Sequence, residues 1–211
     1  MRYIDAQEIL EFEQRFRATF INSLGGFKSL CLIGTVNENS LTNLAVFNSF
    51  FHIGANPPLF GLIVRPDAVE RHTLENIRKK KYFTVNHVNE KIVKQAHQTS
   101  ARYSLEQSEF TETGLTPEFI NNFSAPYVKE SFIKIGAYCI REISIEENGT
   151  ILLINRFENI ICPENIIGRD GFVNLEMAGS LTCSGLDSYH TTKQISRLSY
   201  AKPGKPVEQI P

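Results

Sequence analysis

Residues 42–77 read TNLAVFNSFFHIGANPPLFGLIVRPDAVERHTLENI, and the division of that stretch decides the fold. Thr42 closes a polar turn and leads into an extended run, Leu44 to Ile53; Asn56-Pro57-Pro58 interrupts the chain. Leu59 to Val64 then runs apolar without a break, Arg65-Pro66 ends it, and His72-Thr73-Leu74-Glu75-Asn76-Ile77 opens a helix. Short apolar runs bounded by Asn, Gly and Pro read as strands, and one that is apolar throughout is covered on both faces.

Side chains alternate along a strand, so Asn43, Ala45, Phe47 and Ser49 face one way while Leu44, Val46, Asn48 and Phe50 face the other. The small Ala45, with Asn43 and Ser49 on the same side, leaves room for a planar ring against the backbone. Thr73 suits the N-cap of the helix, and Asn76 falls at its third position, where a side chain can fold back on the turn. Alone, such a cap is structural and worth roughly 1 kcal/mol. Arg65 and Arg71 flank the same helix start, and His72 offers a donor to an anion or to the turn. Uncapped amides, the helix dipole and charged donors together make a phosphate position. The stretch therefore predicts a pocket for a phosphorylated ligand with a flat heteroaromatic ring.

Composition narrows the partners. Lys+Arg 22 against Asp+Glu 23 gives a formal charge of -1 over 211 residues, which supplies no field for binding nucleic acid. The dense cluster Arg78-Lys79-Lys80-Lys81 reads as the end of a helix, where cations meet exposed carbonyls. Cys31, Cys139, Cys162 and Cys183 are scattered without a Cys-x-x-Cys pair, as expected for thiols in a reducing cytoplasm. No apolar run approaches the length of a membrane span, and the N-terminus does not read as a signal peptide. The histidines show no spacing suited to a metal, and no Gly-x-Ser-x-Gly elbow surrounds Ser49.

Along the rest of the chain, apolar residues from Ile9 to Ile21 predict one helix over Ala6 to Asn22. Phe27 to Val36 predicts strand, turning at Asn37-Glu38-Asn39-Ser40. A helix from Thr73 to about Lys80 leads to a strand Tyr82 to Val88 and a second helix, Glu90 to Gln98. A short helix is expected around Pro117 to Phe123. Strands Phe132 to Ile145 and Ile151 to Ile161 flank Glu147-Asn148-Gly149-Thr150, whose Asn-Gly pair predicts a type I′ hairpin turn. Lys202-Pro203-Gly204-Lys205-Pro206 reads as an exposed tail. The fold class is mainly β: an all-β barrel with helical insertions, expected as one domain over 1–211.

The order Gly34-Thr35, Thr42-Asn43-Leu44-Ala45, Asn48-Ser49, Asn56-Pro57-Pro58, His72-Thr73-Leu74-Glu75-Asn76-Ile77 and Tyr82-Phe83-Thr84-Val85-Asn86 resembles the flavin reductase-like family. That resemblance implies a six-stranded antiparallel split β-barrel of the FMN-binding type, with a barrel core over about 20–165 and a C-terminal extension over about 166–211. It implies a homodimer that reduces flavin with NADH or NADPH and passes electrons to an oxygenase or other acceptor. FMN is the expected flavin, with FAD the other candidate. The strand Asn43 to Ser49, including Asn48, would line the ring, Val64 and Arg65 would pass beside it, and Thr73 would sit near the phosphate. The segments His97-Gln98-Thr99-Ser100-Ala101 and Ser108-Glu109-Phe110 would close over the cofactor, with Ser100 in contact. The full set is Asn43, Ala45, Asn48, Ser49, Val64, Arg65, His72, Thr73, Asn76 and Ser100, with no dedicated catalytic acid or nucleophile and no metal. A flavin carrier without a nicotinamide reaction, or a ligand-free dimeric interaction module, are the other readings.

Overall fold

The computed structural model describes residues 1–66 and 71–210. Seven antiparallel strands form its main sheet: β1 Cys31–Val36, β2 Thr42–Phe47, β3 Phe50–Ala55, β4 Pro58–Val64, β5 Tyr82–His87, β6 Lys134–Ile145 and β7 Thr150–Ile161. They lie in the order β2-β1-β5-β6-β7-β4-β3. Strands β2 and β3 follow one another in the chain yet occupy opposite edges of the sheet. Only Asn48 and Ser49 join them, so Phe47 and Phe50 are separated by at most about 11 Å of chain. The sheet must curl until its two edges meet at that corner, and no ladder joins β2 to β3.

Seven strands stand where six were expected because the run Leu44 to Ile53 is two strands. Its interruption has a local cause: the Ser49 hydroxyl donates to the Ile63 carbonyl at 2.7 Å and the Asn48 amide to the Gly185 carbonyl at 3.1 Å. Both side chains fasten the link to other parts of the fold and end the β2 ladder.

The interior is filled from all sides. Phe60 is fully buried among the rings of Phe50, Phe83 and Phe157, with centroids 4.8, 6.2 and 5.0 Å away. Helix α3, which is numbered after α1 (Ala6–Glu11) and α2 (Gln14–Leu24), covers His72–Lys80 and inserts Leu74 and Ile77 into this core. The opposite face of β1 is also buried. There Leu32 packs with Leu44, Ala96 of α4 (Val93–Gln98) and Phe110 of α5 (Glu109–Thr113). That double coverage explains why β1 is apolar almost throughout. Gly34 lies where a Cβ would meet the Pro126 carbonyl oxygen at 2.2 Å and the Thr84 hydroxyl at 2.5 Å, so the chain at Pro126 lies directly on the strand.

Several local expectations change. The helix over Ala6 to Asn22 is two, because the Glu13 carboxylate accepts the amides of Arg15 and Phe16 at 2.9 and 3.0 Å and caps a new start. No helix covers Pro117 to Phe123: Pro117–Glu118 pairs with Tyr127–Val128, and Asn121 and Asn122 have φ of 50° and 59°, outside the right-handed helical region. The helix of this region is α5, upstream. The segment Glu90 to Gln98 begins as a 3-10 turn, Glu90–Ile92, before α4. The hairpin after β6 has a four-residue loop in which only Gly149 takes a positive φ, of 70°, whereas a type I′ turn needs two such residues. The basic cluster does end α3, with Lys79 bonded to Glu38 at 2.7 Å and Arg78 Nε to Glu142 at 3.0 Å. Beyond the sheet, Lys28–Ser29, Thr182–Ser184 and Ser188–His190 form a small three-stranded sheet. Arg197–Leu198 pairs with Gln209–Ile210 around the exposed residues 202–206.

Gly34→Ala is expected to lower unfolding stability by about 2–3 kcal/mol, because the new methyl meets a backbone carbonyl that can move only with its segment. Urea denaturation checks this; an unchanged midpoint would show that the Pro126 segment is not packed on β1.

Candidate functional site

A cleft of about 1020 Å³ opens where the two edges of the sheet meet. One wall is β2 and its link to β3, a second is the end of β4 with the start of α3, and the segment after α4 and the hairpin at residues 182–190 complete it. Asn43, Ala45, Asn48, Ser49, Val64, Arg65, His72, Thr73 and Ser100 all border this one cavity. Asn76 does not. It is buried one turn into α3, where its amide donates to the Thr35 hydroxyl at 3.0 Å.

The same Thr35 oxygen accepts from the Asn43 amide at 3.2 Å, and that amide also donates to the Thr73 hydroxyl at 3.0 Å. This network ties β1, β2 and α3 together. It also sets what each group can still offer. Both Asn43 amide hydrogens are used, leaving its carbonyl oxygen as an acceptor; Thr73 accepts one bond and keeps its hydroxyl hydrogen to donate. Ser49 has given its hydrogen to Ile63, so toward the cleft it is an acceptor.

Thr73 is not the N-cap. Arg71 holds that position, at φ -130° and ψ 83°, and no side chain caps the helix. The threonine hydroxyl is drawn instead into the network with Asn43, one residue inside the helix. Among the described residues no side chain accepts from the Thr73 or Leu74 amide. Arg71 is half-buried beside them, its Nε reaching the Pro66 carbonyl at 3.5 Å. Arg65 is exposed at the rim and makes no ion pair among the described residues.

Two further groups border the cleft. Glu109, at the start of α5, is 6% exposed and borders the cleft; its carboxylate accepts the Leu44 N–H of edge strand β2 at 2.9 Å. Burial pushes its pKa up, opposed by the Leu44 and Glu109 amides and by the charge of His72. The resemblance placed Ser108-Glu109-Phe110 with the segment that closes over the cofactor, but it gave no sign of the strand that Glu109 would reach. The second is the wall made by Leu186 and Tyr189, with Tyr189 hydrogen-bonded through its hydroxyl to His97 Nδ1. Among the described residues no group of three His, Cys, Asp or Glu side chains is arranged to hold a metal. No helix among them is long and apolar enough to cross a membrane.

A family model described as "Flavin reductase like domain" matches residues 24–173. The chain is 45% identical to a candidate flavin reductase with split barrel domain from Shewanella frigidimarina NCIMB 400, solved by crystallography. The match covers 95% of this chain and 100% of that one, at a TM-score of 0.92. Nitrilotriacetate monooxygenase component B from Bacillus cereus shares the fold at 24% identity and a TM-score of 0.82, over 94% of this chain and 98% of that one. An uncharacterized protein of Aquifex aeolicus is 27% identical over 139 residues, 64% of this chain and 71% of that protein.

Because burial raises the Glu109 pKa above its ordinary 4.5, the folded protein holds this proton to higher pH than the unfolded chain does. The associated stability is complete below the unfolded value and declines as pH rises through the folded one. Glu109→Gln, which keeps an oxygen for the Leu44 amide, is expected to remove that decline when urea midpoints are measured upward from pH 4.5. Identical pH profiles for variant and parent would refute the burial account.

Proposed function

The chain belongs to the flavin reductase like family, and from that footing we propose that it is an FMN-binding NAD(P)H:flavin oxidoreductase. The observation that carries this reading is the convergence on one cleft of the uncapped α3 start, Thr73, Arg65, Arg71 and His72 with the small Ala45 on the neighbouring strand. The cavity volume lies at the upper end of the range for small-molecule sites. The donor set suits a phosphate at the helix start: amides, a hydroxyl hydrogen and guanidinium groups. Glu109 suits it only in its protonated form, which its burial favours.

When bound, the flavin supplies the redox chemistry. The chain's own part is binding and orientation. Thr73 donates to the phosphate, Arg65 and Arg71 balance its charge, and Ala45 leaves the ring room against β2. The Asn43 carbonyl and Asn48 read the ring's polar edge, Val64 packs beside it, and Ser100 closes from the segment after α4. Asn76 acts one step back, holding Thr35 and through it Asn43. Hydride transfer between two bound rings asks for alignment at about 3 to 3.5 Å and not for a side-chain acid or nucleophile.

The same reading takes 1–211 as one domain, a split barrel with a C-terminal extension. It makes the protein a homodimer: α1 and α2 bury no residue within the chain, while Leu10, Phe16 and Leu24 are exposed. Free thiols at all four cysteines accord with the cytoplasm. The Bacillus cereus protein is by name one component of a monooxygenase, and an oxygenase is the electron acceptor we infer by analogy.

The purified protein is expected to take up FMN in a spectroscopic titration and to oxidise NADH or NADPH with FMN present. Thr73→Ala combined with Arg65→Ala should weaken FMN binding by roughly 2 to 4 kcal/mol. Uptake of FMN without oxidation of either donor would make the protein a flavin carrier, and no uptake at all would end the flavin reading.

A further inference from the structure

The hairpin formed by Thr182–Ser184 and Ser188–His190 lies beyond the residues matched by the family model, yet it borders the cleft. It is held as part of the body. Its backbone pairs with Lys28–Ser29, and the Gly185 carbonyl accepts from Lys28 Nζ at 2.8 Å and from the Asn48 amide at 3.1 Å. The Tyr189 hydroxyl is bonded to His97 of α4. Gly185 itself turns at φ 61°, with Ser23 Oγ only 3.3 Å from where a Cβ would stand, so the tip is a fitted turn. Three separate elements therefore fix this wall.

The two ends of the cleft differ in chemistry. At the α3 end are amides, a hydroxyl and guanidinium groups. At the hairpin end are Phe47, Leu186 and Tyr189, and the nearby Lys28 ammonium gives two of its three hydrogens to the carbonyls of Asn22 and Gly185. Tyr189 is half-buried, packed on one side against the core cluster of Leu30 and Cys183 while it borders the cavity. A phosphate has its partners at the first end; a flat apolar ring face has its partners at the second. The volume is ample for a second planar ligand beside a mononucleotide.

We propose that this hairpin is the docking wall for the planar ring of the nicotinamide hydride donor, with Tyr189, clamped by His97, as its positioning residue. The inference rests on the flavin-reductase reading and adds a donor subsite to it. Tyr189 aligns the donor ring and takes no part in bond making.

The test uses the full chain saturated with FMN. Calorimetric titration with NAD+ and with NADP+ should show binding to the parent protein by at least one of them. Tyr189→Ala should weaken that binding about tenfold, the loss of one ring contact, and raise the KM for the reduced donor to match while kcat changes less. FMN affinity, read from quenching of flavin fluorescence, should stay within about twofold, since the phosphate end is untouched. Tyr189→Phe keeps the ring and loses only the His97 bond, so it should fall between parent and Ala variant; it also serves if the Ala variant folds poorly. Equal losses of FMN and dinucleotide binding would place Tyr189 in the flavin subsite and overturn the proposal, as would dinucleotide binding that neither variant alters. A parent protein that binds FMN but neither dinucleotide sinks the donor subsite alone, whereas one that binds no FMN sinks the reading beneath it.

Discussion

Two residues join opposite edges of a seven-stranded sheet, and the rest of the molecule follows from that length of chain. A link as short as Asn48-Ser49 cannot span a flat sheet of seven strands, whose edges lie about 28 Å apart at the usual spacing. The sheet has to curl. Right-handed twist supplies part of that curvature, and the register shifts in β7 against β6, between Ile154 and Asn155 and between Phe157 and Asn159, supply more. Ser49 fastens the corner to β4. No ladder closes the sheet at that corner; a covalent link and side-chain bonds hold its two edges there, and the opening between them is the cleft.

An open edge leaves backbone groups without ladder partners, and the fold answers two of them with side chains. Leu44 N–H is taken by Glu109, and the Ile63 carbonyl by Ser49. Each such bond contributes on the order of 1 kcal/mol, but leaving the group buried and unpaired costs more. Glu109 illustrates a conflict. As a carboxylate it is a strong acceptor for an edge amide, yet it is buried beside a cavity whose other polar groups favour an anion. Burial raises its pKa, against the Leu44 amide and the charge of His72, which both favour the carboxylate.

Much of the fold was legible because its strands follow simple periodicities. The strands from Tyr82 and Lys134 onward, and helix α3, agree with the sequence reading to within a residue or two. The errors cluster where tertiary contacts override a local pattern. The run Leu44 to Ile53 has continuous β character, and only the partners of Asn48 and Ser49 in distant segments divide it. Thr73 resembles an N-cap until Asn43, thirty residues earlier, claims its hydroxyl. The cleft residues on the opening stretch could be read because they are close in sequence. Glu109 was reached only through the resemblance, and the contacts of Glu109 and Tyr189 could not be read, since one arrives on α5 and the other on a hairpin beyond the main sheet.

The position of the site is itself a consequence of coverage. Along β1 both faces of the sheet are buried, by the inner core on one side and by α4 and α5 on the other, so no ligand can approach the backbone there. At the split, edge backbone faces an open cavity, and there the chain sets a helix start across from a small residue on the strand. Charge from Arg65 and Arg71 and the dipole of α3 act in the same direction at that end, and aromatic surface from the C-terminal hairpin lines the other. An anionic group is matched at one end and a flat apolar ring face at the other. Specificity then comes from the separation of the two chemistries along one cleft, which the two-residue link creates.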